Sequence, residues 1–265
     1  MSKFELEKAF GTLKAEDEKA FIAYIMAGDG GLQNLKGQIQ SLEASGVSIV
    51  ELGIPFSDPV ADGPAIQAAG QRALAQGVTL EKVLVELARI RHEVSIPVVI
   101  MTYANPVLRL GADRFAELAH EAGVSGVIIP DVPLEEEREF GAPLAKYDIA
   151  MIRFITLTSS EDRIKEVIEG AEGFIYAVTV NGTTGVREGF VDSLYAHLEK
   201  VSLASDVPVC AGFGINDAEQ AEKIGAHCDG VIVGSRIVNL LNEGKADEIR
   251  TLIPKNRDIA ANATK

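Results

Sequence analysis

Short apolar runs recur along the chain, and each is followed by a longer stretch whose apolar residues return at helical spacing. The runs are Phe21–Met26, Ser48–Leu52, Pro97–Met101, Gly126–Ile129, Ala150–Ile155, Phe174–Thr179, Val207–Ala211 and Gly230–Val233. They are rich in β-branched residues and nearly continuous rather than alternating, as strands buried on both faces of a parallel sheet are. Helical periodicity predicts helices over Leu32–Ala44, Ala65–Ala75, Leu80–Val94, Ala112–Ala122, Leu134–Lys146, Glu161–Gly170, Ser193–Leu203 and Asp217–Ile224. Gly46, Gly123 and Gly225 stand where a left-handed residue would end a helix before the next strand. Eight successive βα units with right-handed crossovers predict an α/β fold, a (β/α)8 TIM barrel, with a doubly wound sheet as the alternative. Met1–Leu13 reads as an extra N-terminal amphipathic helix that would plug the barrel bottom. No Ser- or Pro-rich linker interrupts the pattern, so residues 1–265 are expected to form one catalytic domain.

Composition narrows the partners. Hydrophobic residues make up 47% of the 265 positions and charged residues 24%, enough for a sizeable core. A net charge of −14 excludes a duplex nucleic-acid partner, which would need clustered Lys and Arg. It also means that a phosphate ligand must be held locally rather than by a broad cationic field. Cys210 and Cys228 match no zinc or redox spacing and read as reduced core thiols, and the four histidines form no ligand pair at helical spacing. The N-terminus lacks a signal-peptide core, and no apolar run approaches membrane-spanning length. A cytoplasmic location with no membrane partner is expected.

In a barrel of this kind, chemistry gathers at the C-terminal strand ends and in the loops that follow them. Glu51 lies inside the apolar run Ile49-Val50-Glu51-Leu52. With period two, Val50 and Leu52 suit the helix-packed exterior, which turns Glu51 into the barrel mouth. Lost hydration would raise its pKa and suit it to exchange protons near neutrality. The other reading of a Glu there is one neutralised by a buried Lys or Arg, or hydrogen-bonded in an interior layer. The following loop, Gly53 to Gly63, is long for a βα connection and stiffened by Pro55 and Pro59. It carries Phe56 and ends at Asp62, which reads either as a site residue or as a helix N-cap before Pro64. Downstream, Gly212-Phe213-Gly214 follows the seventh predicted strand and Gly234-Ser235-Arg236 the eighth. Glycines there let backbone amides approach a phosphate closely, beside the positive end of a helix. The loop Asn181 to Gly189 has the glycines and small hydroxyl residues of a mobile lid. In the strand before it, Tyr176 either offers a hydroxyl to the cavity or packs against a helix.

The run Glu51-Leu52-Gly53-Ile54-Pro55-Phe56-Ser57-Asp58-Pro59-Val60-Ala61-Asp62-Gly63-Pro64 closely resembles the signature of the tryptophan synthase alpha-subunit family. The likeness extends through Tyr103-Ala104-Asn105-Pro106, Pro130-Asp131-Val132-Pro133, Thr158-Ser159-Ser160, Gly182-Thr183-Thr184-Gly185, Gly212-Phe213-Gly214-Ile215 and Gly234-Ser235. It departs in the lid, where Asn181 and Thr183 replace the expected Ser or Thr and Val. The resemblance implies a carbon–carbon lyase of tryptophan biosynthesis that splits indole-3-glycerol phosphate into indole and glyceraldehyde 3-phosphate by a retro-aldol step. By the same likeness Glu51 is the general acid/base, Asp62 the partner of the indole N–H, and Tyr176 the active-site tyrosine. Phe21 and Met101 would line the indole pocket. Thr184 belongs to the part of the lid that matches, and Gly185, Phe213, Gly214, Gly234 and Ser235 would bind the phosphate. No cofactor is implied in this chain, and no metal. Pyridoxal phosphate would belong to a beta-subunit partner in an alpha2-beta2 assembly, met by the Asp58-Pro59 loop and the lid. The cradle taken alone fits other phosphate-sugar barrel enzymes equally, and the same loops read as an interface fit a weakly catalytic barrel that activates a partner.

Overall fold

The computed structural model describes residues 2–178, 188–212 and 214–254. Its strands are β1 (Ala20–Met26), β2 (Ile49–Gly53), β3 (Val98–Met101), β4 (Gly126–Ile128), β5 (Ala150–Met151), β6 (Arg153–Thr156), β7 (Ile175–Val178), β8 (Val209–Gly212) and β9 (Gly230–Val233). All described pairings are parallel, in the order β5-β4-β3-β2-β1-β9-β8-β7-β6. The two ends of that order are consecutive in the chain, parted only by Ile152. β5 and β6 are therefore two halves of the fifth predicted strand, and the sheet closes through them into the expected eight-fold barrel. The break has a local cause. β4 is three residues long, so it can pair only the first half, with Ile152 N–H still donating to Val127 O at 2.9 Å. From Arg153 onward the strand pairs with β7 instead.

The pleat sorts the side chains. Register pairs Ile22 with Ile49 and Tyr24 with Glu51, so these share the interior face. Val50 and Leu52 lie on the opposite face, fully buried under the helices. Thr79, Ser160 and Asp217 cap their helices by accepting from Lys82, Arg163 and Gln220 N–H groups. Gly46 and Gly123 take the left-handed conformation expected after a helix, at φ 96° and 71°. Gly225 does not. It is the last residue of the helix Ala218–Gly225, and Ala226 continues in right-handed geometry, so that turn needs no positive φ. Two helices lie outside the predicted set, Ala104–Leu110 and Ser235–Asn242, together with the 3-10 segment Ala246–Leu252. Pro106 is compatible with the first of these because it falls in the opening turn, where no backbone N–H is needed.

The N-terminal helix α1 (Lys3–Ala15) closes the bottom of the barrel. Leu6 is fully buried, and its Cδ1 would lie 3.3 Å from a Cβ on Gly126 and 3.4 Å from one on Gly173. Those two glycines leave the space that Leu6 fills, and Phe10 packs on Phe174 with ring centroids 5.9 Å apart. Lys3 tethers the helix start: its N–H donates to Asp148 O, and its ammonium pairs with Glu172 and Asp148. Leu6→Ala should therefore lower the unfolding free energy by about 2–5 kcal/mol, read by urea denaturation. A loss near zero would mean that α1 is not part of the cooperative core.

Candidate active site

At the C-terminal ends of the strands lies a cavity of about 880 Å³. Glu51 is on its wall, 3% exposed, with Asp62 nearby and Tyr24 and Tyr176 also lining it. Among the described residues Glu51 makes no ion pair, and its Oε2 has no hydrogen-bond partner. The neutralised-carboxylate reading therefore fails. Burial, reinforced by the Asp62 carboxylate, pushes the Glu51 pKa up to about 8, so the group carries its proton at neutral pH.

Asp62 is brought back over the cavity by a loop with three anchors. Ile54 N–H donates to Met101 O at 2.8 Å, Phe56 stacks on Tyr103 at 5.2 Å, and Ala61 N–H donates to the Tyr103 hydroxyl at 3.1 Å. The Tyr103 hydroxyl beside the Asp62 carboxylate holds that pKa down against the larger effect of burial, and the balance leaves it at about 6. The N-cap of the helix Pro64–Ala75 is Gly63, with no side-chain bond, so Asp62 is not spent on capping. Tyr103 is thus a positioning residue that the reading of single positions misses. Its signal is its place, two residues beyond β3 inside a motif quoted for other reasons. Asp131 supports the same corner by accepting from Ala104 N–H at 3.0 Å.

The two cavity tyrosines share a construction. Tyr176 leans over Gly212 at the end of the next strand, where a Cβ would fall 2.4 Å from its ring. Tyr24 leans over Gly53 in the same way, with a Cβ there only 2.0 Å from its hydroxyl. Phe154 packs at a tilt on Tyr176, with ring centroids 5.2 Å apart. Of the expected pocket residues, Met101 lines the cavity and Phe21 does not. Phe21 sits on the outward face of β1, buried beneath the helices, because the strand pleat turns alternate residues away from the mouth. Tyr24, three positions on and in register with Glu51, occupies the place that the resemblance assigns to Phe21.

Gly214, Gly234 and Ser235 line the same cavity as expected. Gly234 is the N-cap of Ser235–Asn242 and provides no side-chain cap, so the first-turn N–H groups of that helix stay available to an anion. The neighbouring helix Ala218–Gly225 is already capped by Asp217. Arg236 turns away toward Glu248, at 4.0 Å, and takes no part in the lining. Thr184, Gly185 and Phe213 lie outside the described residues, as does the lid 181–187. Among the described residues no group of three or more His, Cys, Asp or Glu is placed to hold a metal, and Cys210 and Cys228 are buried free thiols.

A sequence model described as "Tryptophan synthase alpha chain" matches residues 10–264. The tryptophan synthase alpha chain of Bacillus cereus (strain G9842) is 52% identical over 236 residues, 89% of this chain and 92% of that one. The alpha chain of Oceanobacillus iheyensis is 50% identical over 253 residues, covering 96% of this chain and 97% of its own length. Among solved structures, tryptophan synthase subunit alpha from Legionella pneumophila str. Paris superposes with a TM-score of 0.84 at 33% identity, covering 94% of this chain and 92% of that one. A structure of Mycobacterium tuberculosis tryptophan synthase gives a TM-score of 0.84 at 34% identity, covering 93% of this chain and 94% of that one.

Burying an acid without a cation makes stability depend on pH. The unfolded chain releases the Glu51 proton above about 4.5 and the folded chain only above about 8. Between those values the folded state holds the extra proton, so stability falls as pH rises through the window. Glu51→Gln removes the titration. The variant should gain on its parent by roughly 3–5 kcal/mol between about pH 5 and pH 8, in urea unfolding at each pH. A difference that stays flat with pH would place the carboxyl in a hydrated or paired setting.

Proposed function

The chain belongs to the tryptophan synthase alpha chain family and is a carbon–carbon lyase of tryptophan biosynthesis, and we propose that Glu51 and Asp62 carry its cleavage of indole-3-glycerol phosphate. The observation that carries this reading is a buried, protonated carboxyl, unpaired among the described residues, beside a second carboxyl in a cavity that an uncapped helix N-terminus also lines.

The substrate phosphate binds the backbone amides around Gly214, Gly234 and Ser235, which solves the problem of an anionic ligand on a chain of net charge −14. The indole ring then lies between Glu51 and Asp62, against Met101 and Tyr176. Glu51 donates its proton to ring carbon C3. The ring nitrogen supplies the electron pair and becomes iminium-like, and Asp62, ionised above about pH 6, accepts its N–H and stabilises the developing positive charge. The bond from C3 to the hydroxyl-bearing side-chain carbon breaks, and its electrons return to the ring. That hydroxyl gives its proton back to Glu51, directly or through a water, and becomes the aldehyde of glyceraldehyde 3-phosphate. Glu51 ends protonated, ready for the next turnover. The division of labour follows from the two pKa values: between about 6 and about 8, one carboxyl is a proton donor and the other an anion.

The whole chain acts as a single catalytic domain, and α1 belongs to it as the barrel plug. The family carries no cofactor of its own, pyridoxal phosphate belonging to the beta subunit that takes up the indole. Asp58 and Val60, the latter 83% exposed, stand out from the loop that holds Asp62 and suit contact with that partner in an alpha2-beta2 assembly. A cytoplasmic location fits a biosynthetic enzyme, and no described helix is long and apolar enough to cross a membrane.

Glu51→Gln should lose indole release by about 10³-fold while still binding the substrate. Asp62→Asn should lose about 10–100-fold, since the amide oxygen still accepts the ring N–H. The pH profile of kcat/KM should be bell-shaped with limbs near 6 and 8, and Asp62→Asn should remove the acid limb. Retained turnover in the Glu51 variant would overturn the assignment.

A further inference from the structure

Besides Glu51 Oε2, a second polar atom on the wall of this cavity is buried without a hydrogen-bond partner among the described residues: the hydroxyl oxygen of Tyr24. Tyr24 is 3% exposed and directly opposite Glu51 in the β1–β2 register. Its ring starts beside Gly234, where a Cβ would lie 3.5 Å from the tyrosine Cβ, and ends over Gly53. The ring therefore spans from the phosphate side of the cavity to the carboxyl side, with the hydroxyl at the carboxyl end. At Gly53 a Cβ would fall 2.0 Å from that oxygen, so only glycine leaves it room.

A phenol buried without a partner is destabilising, and phenylalanine would fill the same space without that penalty. The hydroxyl is useful only if its partner arrives from outside. Asp62 and Glu51 both oppose loss of its proton, so the hydroxyl of this lining residue is a donor. Glu51 lines the same cavity, and its Oε2, also without a partner among the described residues, is an acceptor once the carboxyl has ionised. A donor and an acceptor side by side are the complement of one alcohol group, which accepts from the first and donates to the second. On the reading of the site given above, on which this step rests, the substrate carries such an alcohol on the carbon bonded to C3, the atom Glu51 protonates.

We propose that Tyr24 is a further substrate-positioning residue: its hydroxyl donates a hydrogen bond to that alcohol oxygen and so turns the alcohol O–H toward Glu51 Oε2. Tyr24 transfers no proton itself. The alcohol proton passes to the Glu51 carboxylate, and the phenol keeps its own.

The test is Tyr24→Phe, made alone and in the Glu51→Gln background, in the full chain with its beta subunit. Two ligands are compared by direct binding: indole-3-glycerol phosphate, and the analogue that lacks only the hydroxyl beside the ring. In the Glu51→Gln background, Tyr24→Phe should weaken binding of the natural substrate about 10-fold and leave the analogue within about 2-fold. Tyr24→Phe alone should lower kcat/KM for cleavage by at least the same factor, and without ligand should unfold at no lower urea concentration than the parent. Equal weakening of both ligands would make Tyr24 a packing residue, and unchanged substrate binding would remove the bond. A drop in ligand-free stability would show that the hydroxyl is used within the protein. Each of those results overturns the proposal. Failure of the parent reading is separate and visible first, as turnover persisting in Glu51→Gln.

Discussion

A carboxylic acid buried in the barrel, with no cation beside it among the described residues, is the constraint around which the rest of this molecule is arranged. Burial strips Glu51 of hydration, and among the described residues no lysine or arginine neutralises it, so the acid keeps its proton near neutral pH. That condition depends on closure. The sheet shuts through the short break at Ile152, and α1 seals the opposite end with Leu6 and Phe10.

Asp62 shows how the same burial gives a second carboxyl a different role. It sits on a loop rather than a strand, only half-buried, with the Tyr103 hydroxyl beside it favouring its charged form. Tyr103 acts at once as a stacking platform for Phe56, an acceptor for Ala61 N–H and a polar neighbour that lowers the Asp62 pKa. A single side chain thereby fixes both the position and the protonation state of the second carboxyl. Around Gly234 the cavity needs no side-chain charge, because the bare N-terminus of Ser235–Asn242 presents amides instead. An acidic protein can in this way hold an acidic ligand.

Much of this is legible in the residues. The succession of buried-strand runs and amphipathic stretches indicates the barrel, the acid within an apolar strand indicates an inward carboxyl, and the glycines after the last strands indicate the cradle. What escapes is mostly phase and partnership. The resemblance gives Phe21 a pocket position that β1 assigns to Tyr24, because the side-chain period of a strand is two and an error of three residues exchanges its faces. Gly225 resembles Gly46 and Gly123 in its local string, yet the chain leaves its helix without a positive φ there. The helix Ala104–Leu110 is masked by Asn105-Pro106, which reads as a turn until the proline is seen in the opening turn.

The sequence by itself determined the number of βα units, the face on which Glu51 lies and the kind of chemistry its neighbours suit. Those are properties of periodicity and residue type, and both are local. Only the tertiary structure decided that no described cation reaches Glu51, that Tyr103 rather than a capping role governs Asp62, and that two tyrosines lean over Gly53 and Gly212. Such facts concern what meets what across strands tens of residues apart, and a pKa in a closed cavity is set by everything that surrounds it.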